Sequence, residues 1–173
     1  ALIATSVLVL GLAPAVEGAI EGAAEGNDDT MQTRYQPFQE LLSRHLKEKN
    51  LPENGLSSAF DYRSALDAAN TGTLLDEQKQ LLADFDPTAL ITRNEAIAFW
   101  INAYNFFMVA QILENPQRGQ LVDSVRDYGS LFNPYRVFGQ QLFDIGGRKY
   151  SLDEMEKGIL LGEDFAARGW KDA

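Results

Sequence analysis

The 173-residue sequence contains no cysteine and a single histidine, His45. A lipid anchor on cysteine is therefore excluded, and one histidine leaves no credible zinc set. No metal and no cofactor are expected. Nor is there a second histidine to activate a serine: Ser130 lies in Tyr-Gly-Ser-Leu, which is not a nucleophile elbow. His45 itself falls in an amphipathic helix beside Arg44 and Lys47, where a solvated or structural role fits. Calcium-loop spacing is absent, and Gly146-Gly147 reads as a turn, not a phosphate loop. Basic residues are scarce, with 15 Lys and Arg against 25 Asp and Glu and a net charge of -10. Such a surface repels phosphate backbones, so no nucleic-acid partner is expected. No complete catalytic constellation can be assembled from what remains.

The N-terminal run Ala-Leu-Ile-Ala-Thr-Ser-Val-Leu-Val-Leu-Gly-Leu carries no charge before Glu17. It is too short for a comfortable membrane span of about 20 residues. It resembles the apolar core of a secretory signal peptide, with Ala13-Pro14-Ala15 as a small-x-small cleavage site and a second one near Ala19. A buried N-terminal helix and an uncleaved anchor are the alternatives. The reading is a signal peptide over 1–19, a Gly/Ala/acid-rich flexible linker over 20–30, and a single domain over 31–173. The protein is then exported, periplasmic or secreted, with no stable membrane span after cleavage. The initiator Met and the basic n-region are missing, and Gly-Trp-Lys-Asp-Ala closes the chain without a stop signal. Both ends read as clipped.

Apolar residues recur at helical spacing over Thr33–Lys49, where Asn50 to Gly55 stops the helix. A second helix runs from Phe60-Asp61-Tyr62 to Ala69 and is closed by Asn70-Thr71-Gly72. A third covers Leu74–Phe85, with Leu74, Leu75, Gln78, Leu81, Leu82 and Phe85 on one side. Asp86-Pro87 suits an N-cap followed by proline in a short turn. Val137-Phe138-Gly139 and Gln141 to Ile145 have strand character, and Gly146-Gly147 turns the chain into Arg148-Lys149-Tyr150. Ser151-Leu152-Asp153-Glu154 reads as a capping box opening a helix through Leu161. The fold class is α+β and mostly helical. A buried central helix (about 92–114) is wrapped by amphipathic helices, with a small β-hairpin (about 136–150) and an incomplete sheet.

The central helix is the most informative segment. Thr92-Arg93-Asn94-Glu95 matches a capping box, and Ala98 to Leu113 is apolar on every side except for a few amides and one phenol. A helix apolar all round belongs in a core. At 100° per residue Glu95, Phe99, Asn102, Phe106 and Val109 share one face, with Asn105 at its edge. Trp100, Tyr104, Phe107 and Gln111 share the opposite face. Asn102 and Asn105 offer four N–H donors and two acceptors as an i, i+3 pair. They either tie down a loop or floor a polar pocket, as an oxyanion-type donor pair could. Glu95 is a cap or a carboxylate facing that pocket. Trp100 and Tyr104 are core residues or a ligand platform. The acids Asp153, Glu154 and Glu156 begin a helix, where negative charge is favourable anyway.

Phe60-Asp61-Tyr62, the Glu95-x-x-Ala98-Phe99-Trp100-Ile101-Asn102-Ala103-Tyr104-Asn105 segment and Tyr150-Ser151-Leu152-Asp153-Glu154-Met155-Glu156-x-Gly158-Ile159-Leu160 together resemble domain-of-unknown-function family 547. The resemblance covers roughly Met31 to the end. That family occurs in bacterial exported proteins and in plant proteins, and the resemblance implies no established activity. It makes Ser151, Asp153 and Glu156 a secondary motif beside the polar site of Glu95, Trp100, Asn102, Tyr104 and Asn105. Two departures stand out. The family usually has His where this chain has Lys157. It also continues into a His-Phe-Ala-x-Asn-Cys segment and a Ser-Cys-Pro segment.

Two readings follow. The first is an exported binding or interaction module whose central helix carries a polar patch for a small polar ligand, a peptide or an envelope protein. The second is an acyl-transfer or hydrolase-like enzyme of the papain or transglutaminase type, with its Cys and His beyond Ala173. In that case Asn102 or Asn105 would orient the base or donate to the oxyanion.

Overall fold

The computed structural model describes residues 33–51, 55–130 and 132–169. The expected signal peptide and linker lie outside the described residues. Helix α1, Gln36–His45, buries Phe38 and Leu41 and ends where Leu46 turns extended at ψ 127°. Strand β1, Leu46–Leu51, then pairs antiparallel with β2, Gly55–Phe60, in a register that sets Leu46 opposite Phe60. This corrects the expected helix to Lys49. Leu46 fits a helical stripe four residues after Leu42, but it fits a strand equally well. The pairing with β2 decides it, and the Asp61 N–H donates to the His45 carbonyl at 2.8 Å to close the hairpin.

Helix α2, Tyr62–Asp67, starts at Asp61, whose carboxylate accepts from the Ser64 N–H at 3.0 Å. Helix α3 covers Thr71–Ala83. Asn70-Thr71-Gly72 therefore opens a helix where the sequence suggested a stop. The buried Thr71 hydroxyl donates to the Ala65 carbonyl at 2.6 Å, a contact invisible to local propensity. Leu81, expected on the inner side, is 39% exposed. Asp86 caps the short 3-10 turn Pro87–Ala89 as expected, accepting from the Thr88 N–H at 2.9 Å.

Helix α4, Arg93–Glu114, is the central helix. Both halves of its capping box form: Glu95 accepts from the Thr92 N–H at 2.9 Å, and Thr92 accepts from the Glu95 N–H at 3.3 Å. A cap of this kind is worth about 1 kcal/mol. One face packs Phe99 on Phe85 (ring centroids 4.7 Å) and Phe106 on Phe38 (5.4 Å). The other packs Trp100 on Tyr150 (5.2 Å) and Phe107 on Phe143 (4.6 Å). By length and composition α4 could cross a membrane, yet its most apolar window is 67% buried inside the protein. Protein side chains occupy both of its apolar faces.

The C-terminal part is smaller. Strands β3, Phe143–Ile145, and β4, Arg148–Tyr150, pair antiparallel around Gly146-Gly147. Gly146 sits at φ +60°, and a Cβ there would come within 2.7 Å of the Phe85 carbonyl oxygen, so the turn demands glycine. Val137-Phe138-Gly139, expected as strand, lies in a 3-10 helix over Arg136–Gly139. Only Val137 is buried there, so no alternating face exists to pack as a strand. After Ser151 the chain forms a π-helix, Glu154–Leu160, then α5, Glu163–Ala167. The Leu161 N–H reaches back five residues to the Glu156 carbonyl at 2.9 Å. Among the described residues the sheets are two separate two-stranded hairpins.

Candidate functional site

The Trp100 face of α4 meets β4 and the π-helix. Trp100 and Tyr104, four residues apart, stand on this side. Tyr104 is half-buried, and burial with the nearby carboxylates of Glu156 and Asp153 pushes its phenol up to about 12. It is a neutral O–H donor throughout the physiological range. The fold thus brings Tyr104 to Asp153 and Glu156, joining two groups that sequence spacing leaves 49 or more residues apart.

The capping box expected at Ser151 is half formed. The buried Ser151 hydroxyl accepts from the Glu154 N–H at 3.0 Å. The Glu154 carboxylate pairs instead with Arg148 on β4. Lys157 is exposed and pairs with Asp153 at 2.6 Å.

The polar residues of α4 divide. Glu95 acts as the capping residue. Asn105 is buried at 5% exposure and is not without a partner. Asn102 is half-buried, and its side chain makes no hydrogen bond with a described residue. Among the described residues, neither amide lines the cavities at Trp100 or at Lys79. His45 is buried at the end of α1, with Nδ1 3.1 Å from the Ser64 hydroxyl and its ring against Phe60.

One cavity, of about 340 Å³, opens where the N-terminal half of α4, β4, the π-helix and α5 converge. Ala96, Trp100, Tyr150, Ile159 and Phe165 form its apolar walls. Arg148 and Arg168 add two cations. Arg148 lies over the Tyr150 ring at 4.6 Å, and Arg168 donates to the Leu90 carbonyl at 3.4 Å. Ile159 of the wall belongs to the π-helix. Gly162 closes the π-helix so tightly that a Cβ would fall 1.8 Å from the Gly158 carbonyl oxygen. π-Helical turns are rare and concentrate at functional sites.

Trp100 is the one expected site residue in this wall. Arg148, Tyr150, Ile159, Phe165 and Arg168 escaped the sequence reading. A usable signal existed for two of them: Arg148 and Tyr150 are two apart on a strand and share a face. A second cavity of about 570 Å³ lies between α3, α4 and the hairpin, where Lys79 bridges Asp76 and Glu114 and Lys149 pairs with Asp144. Among the described residues no group of three or more His, Asp or Glu is placed to hold a metal ion.

Residues 88–172 match the family described as "Protein of unknown function, DUF547", and the resemblance read from the sequence is borne out over that stretch. Every wall and cation position named for the smaller cavity falls inside it. Phe60-Asp61-Tyr62 lies outside the matched residues. No curated protein and no solved structure matches the chain.

Proposed function

We propose that this chain is an exported binding module whose ligand site is the 340 Å³ cavity at Trp100. The supporting observation is the cavity's composition. Apolar and aromatic walls with a few polar groups at one side are the usual make-up of a small-molecule site, and the volume lies at the lower end of such sites. A small ligand with an apolar body and a polar head fits that space. Export rests on the signal-like residues 1–19.

The full chain carrying Trp170→Phe retains Trp100 as its only indole. Titrated with neutral 4-phenylbutanamide, its indole N–H resonance is expected to shift saturably. Ala167→Phe places a ring at the exposed wall of the cavity. That variant should keep its unfolding midpoint and lose at least about tenfold in affinity, since occupied volume excludes the probe. An unmoved indole signal, or full binding by a folded Ala167→Phe chain, contradicts the proposal.

A further inference from the structure

Two hydrogen-bond donors stand in the cavity wall without an acceptor. Trp100 is 5% exposed and Tyr150 is 6% exposed. Buried indoles and phenols usually find a partner for their polar atom. Other buried polar groups of this core do: Gln78 bonds Phe38, Thr71 bonds Ala65, and the Tyr35 hydroxyl bonds Phe99. The Trp100 indole N–H and the Tyr150 hydroxyl make no hydrogen bond with a described residue, although the two rings pack with centroids 5.2 Å apart. Nor are these donors sealed in. Among the described residues, the side-chain atoms both unbonded and fully enclosed are Arg34 Nε, His45 Nε2, Tyr62 Oη and Asp144 Oδ1. The two donors therefore keep contact with open space, and the space that both residues line is the cavity. Ala96, Ile159 and Phe165 beside them carry no acceptor in their side chains. Neither lining arginine is free: Arg148 pairs with Glu154, and Arg168 is engaged at the Leu90 carbonyl.

We infer that the ligand is an uncharged carbonyl compound of the ketone or amide class: its oxygen accepts from the Trp100 N–H and the Tyr150 hydroxyl, and its apolar body lies against Ile159 and Phe165. This rests on the binding-module reading above and adds the ligand's chemical class. An indole N–H only donates, so the group that answers it is an acceptor. A carbonyl oxygen has two lone pairs and can take both donors. A wholly apolar ligand would strip water from the two donors and leave them unanswered. A site with such donors therefore discriminates against an analogue that lacks the acceptor. A carboxylate would carry its charge into apolar walls with no free arginine in the lining to meet it.

The test compares 5-phenylpentan-2-one with 2-methyl-5-phenylpent-1-ene, which puts CH2 in place of the carbonyl oxygen and keeps the shape. Both are titrated into the full Trp170→Phe chain. The ketone should move the Trp100 indole N–H proton downfield relative to its position in the alkene complex, the mark of a new hydrogen bond. Tyr150→Phe keeps the ring and removes only the hydroxyl. In that variant the ketone-to-alkene affinity ratio should fall about fivefold, the net worth of one neutral hydrogen bond. Far-UV circular dichroism reports that the variant is folded, and the N–H comparison on the unaltered wall decides the matter if it is not. Equal N–H positions in the two complexes overturn the carbonyl assignment while the binding cavity stands. A ratio that is unchanged in folded Tyr150→Phe overturns it too. If neither probe binds, the cavity reading itself fails.

Discussion

Phe99→Ala is expected to lower the stability of the fold by about 3–5 kcal/mol, the range for truncating a fully buried phenylalanine. Phe99 has 0% exposure and sits at the crossing of three aromatic contacts, with Tyr35 at 6.0 Å, Phe85 at 4.7 Å and Trp100 at 5.2 Å. Its partners come from different parts of the chain, so they cannot collapse together into the space left behind. The buried Tyr35 hydroxyl donates to the Phe99 backbone carbonyl at 2.8 Å, a bond that alanine keeps, so the expected loss is that of the ring alone. Domains of this size hold about 5–15 kcal/mol in total. Urea denaturation should show a large fall in midpoint with little change in slope. A loss under about 1 kcal/mol would mean that α4 is not the packed centre.

Gln78→Leu should be nearly as damaging, although it makes the core more apolar. Gln78 is fully buried at 0% exposure. Its carbonyl oxygen accepts from the Phe38 N–H at 3.1 Å, and its amide donates to the Arg34 carbonyl at 2.9 Å. Phe38 is in the first turn of α1, where a backbone N–H has no partner within the helix. Leucine would leave that donor and the Arg34 carbonyl unanswered, at about 1–3 kcal/mol for each buried group. The expected total is about 2–5 kcal/mol by denaturant titration. An unchanged or raised stability would show that water already serves those groups.

Gln78 also illustrates what sequence reading reaches. Its place on the apolar side of α3 was legible from periodicity, because the helical period assigns a face without knowing the partner. What it bonds was not, because Arg34 and Phe38 lie 44 and 40 residues away. The central helix was legible almost to the residue, since Thr92 and Glu95 form a local signal and its two apolar faces repeat at one period. The β1–β2 hairpin was not legible. Leu42 and Leu46 satisfy a helical stripe, and only pairing with Gly55–Phe60 makes Leu46 the start of a strand. The π-helix was likewise hidden, because Ser151 opens it with the same cap as an α-helix and Gly162 marks its end only through a close backbone approach.

The site followed the same division. Trp100 and Tyr104 could be placed on one face of α4, and the Ser151 motif could be placed near a helix start. That the second motif folds back beside Tyr104 depends on long-range packing that no spacing encodes. The amides that stood out in the sequence, Asn102 and Asn105, mark the other side of the helix from the cavity. Their prominence came from polarity within an apolar run. A cavity is built instead from side chains that stop short of filling a space, here Ala96 and Ala167 between larger neighbours.

The proposed ligand site of this protein is the Trp100 cavity. Chemical-shift mapping on the assigned full chain at saturating 4-phenylbutanamide tests it most directly. The largest changes should cluster at Ala96, Trp100, Tyr150, Ile159 and Arg168. Changes centred on Phe107, Ala110 and Leu142 in the second cavity, or none at all, would contradict it.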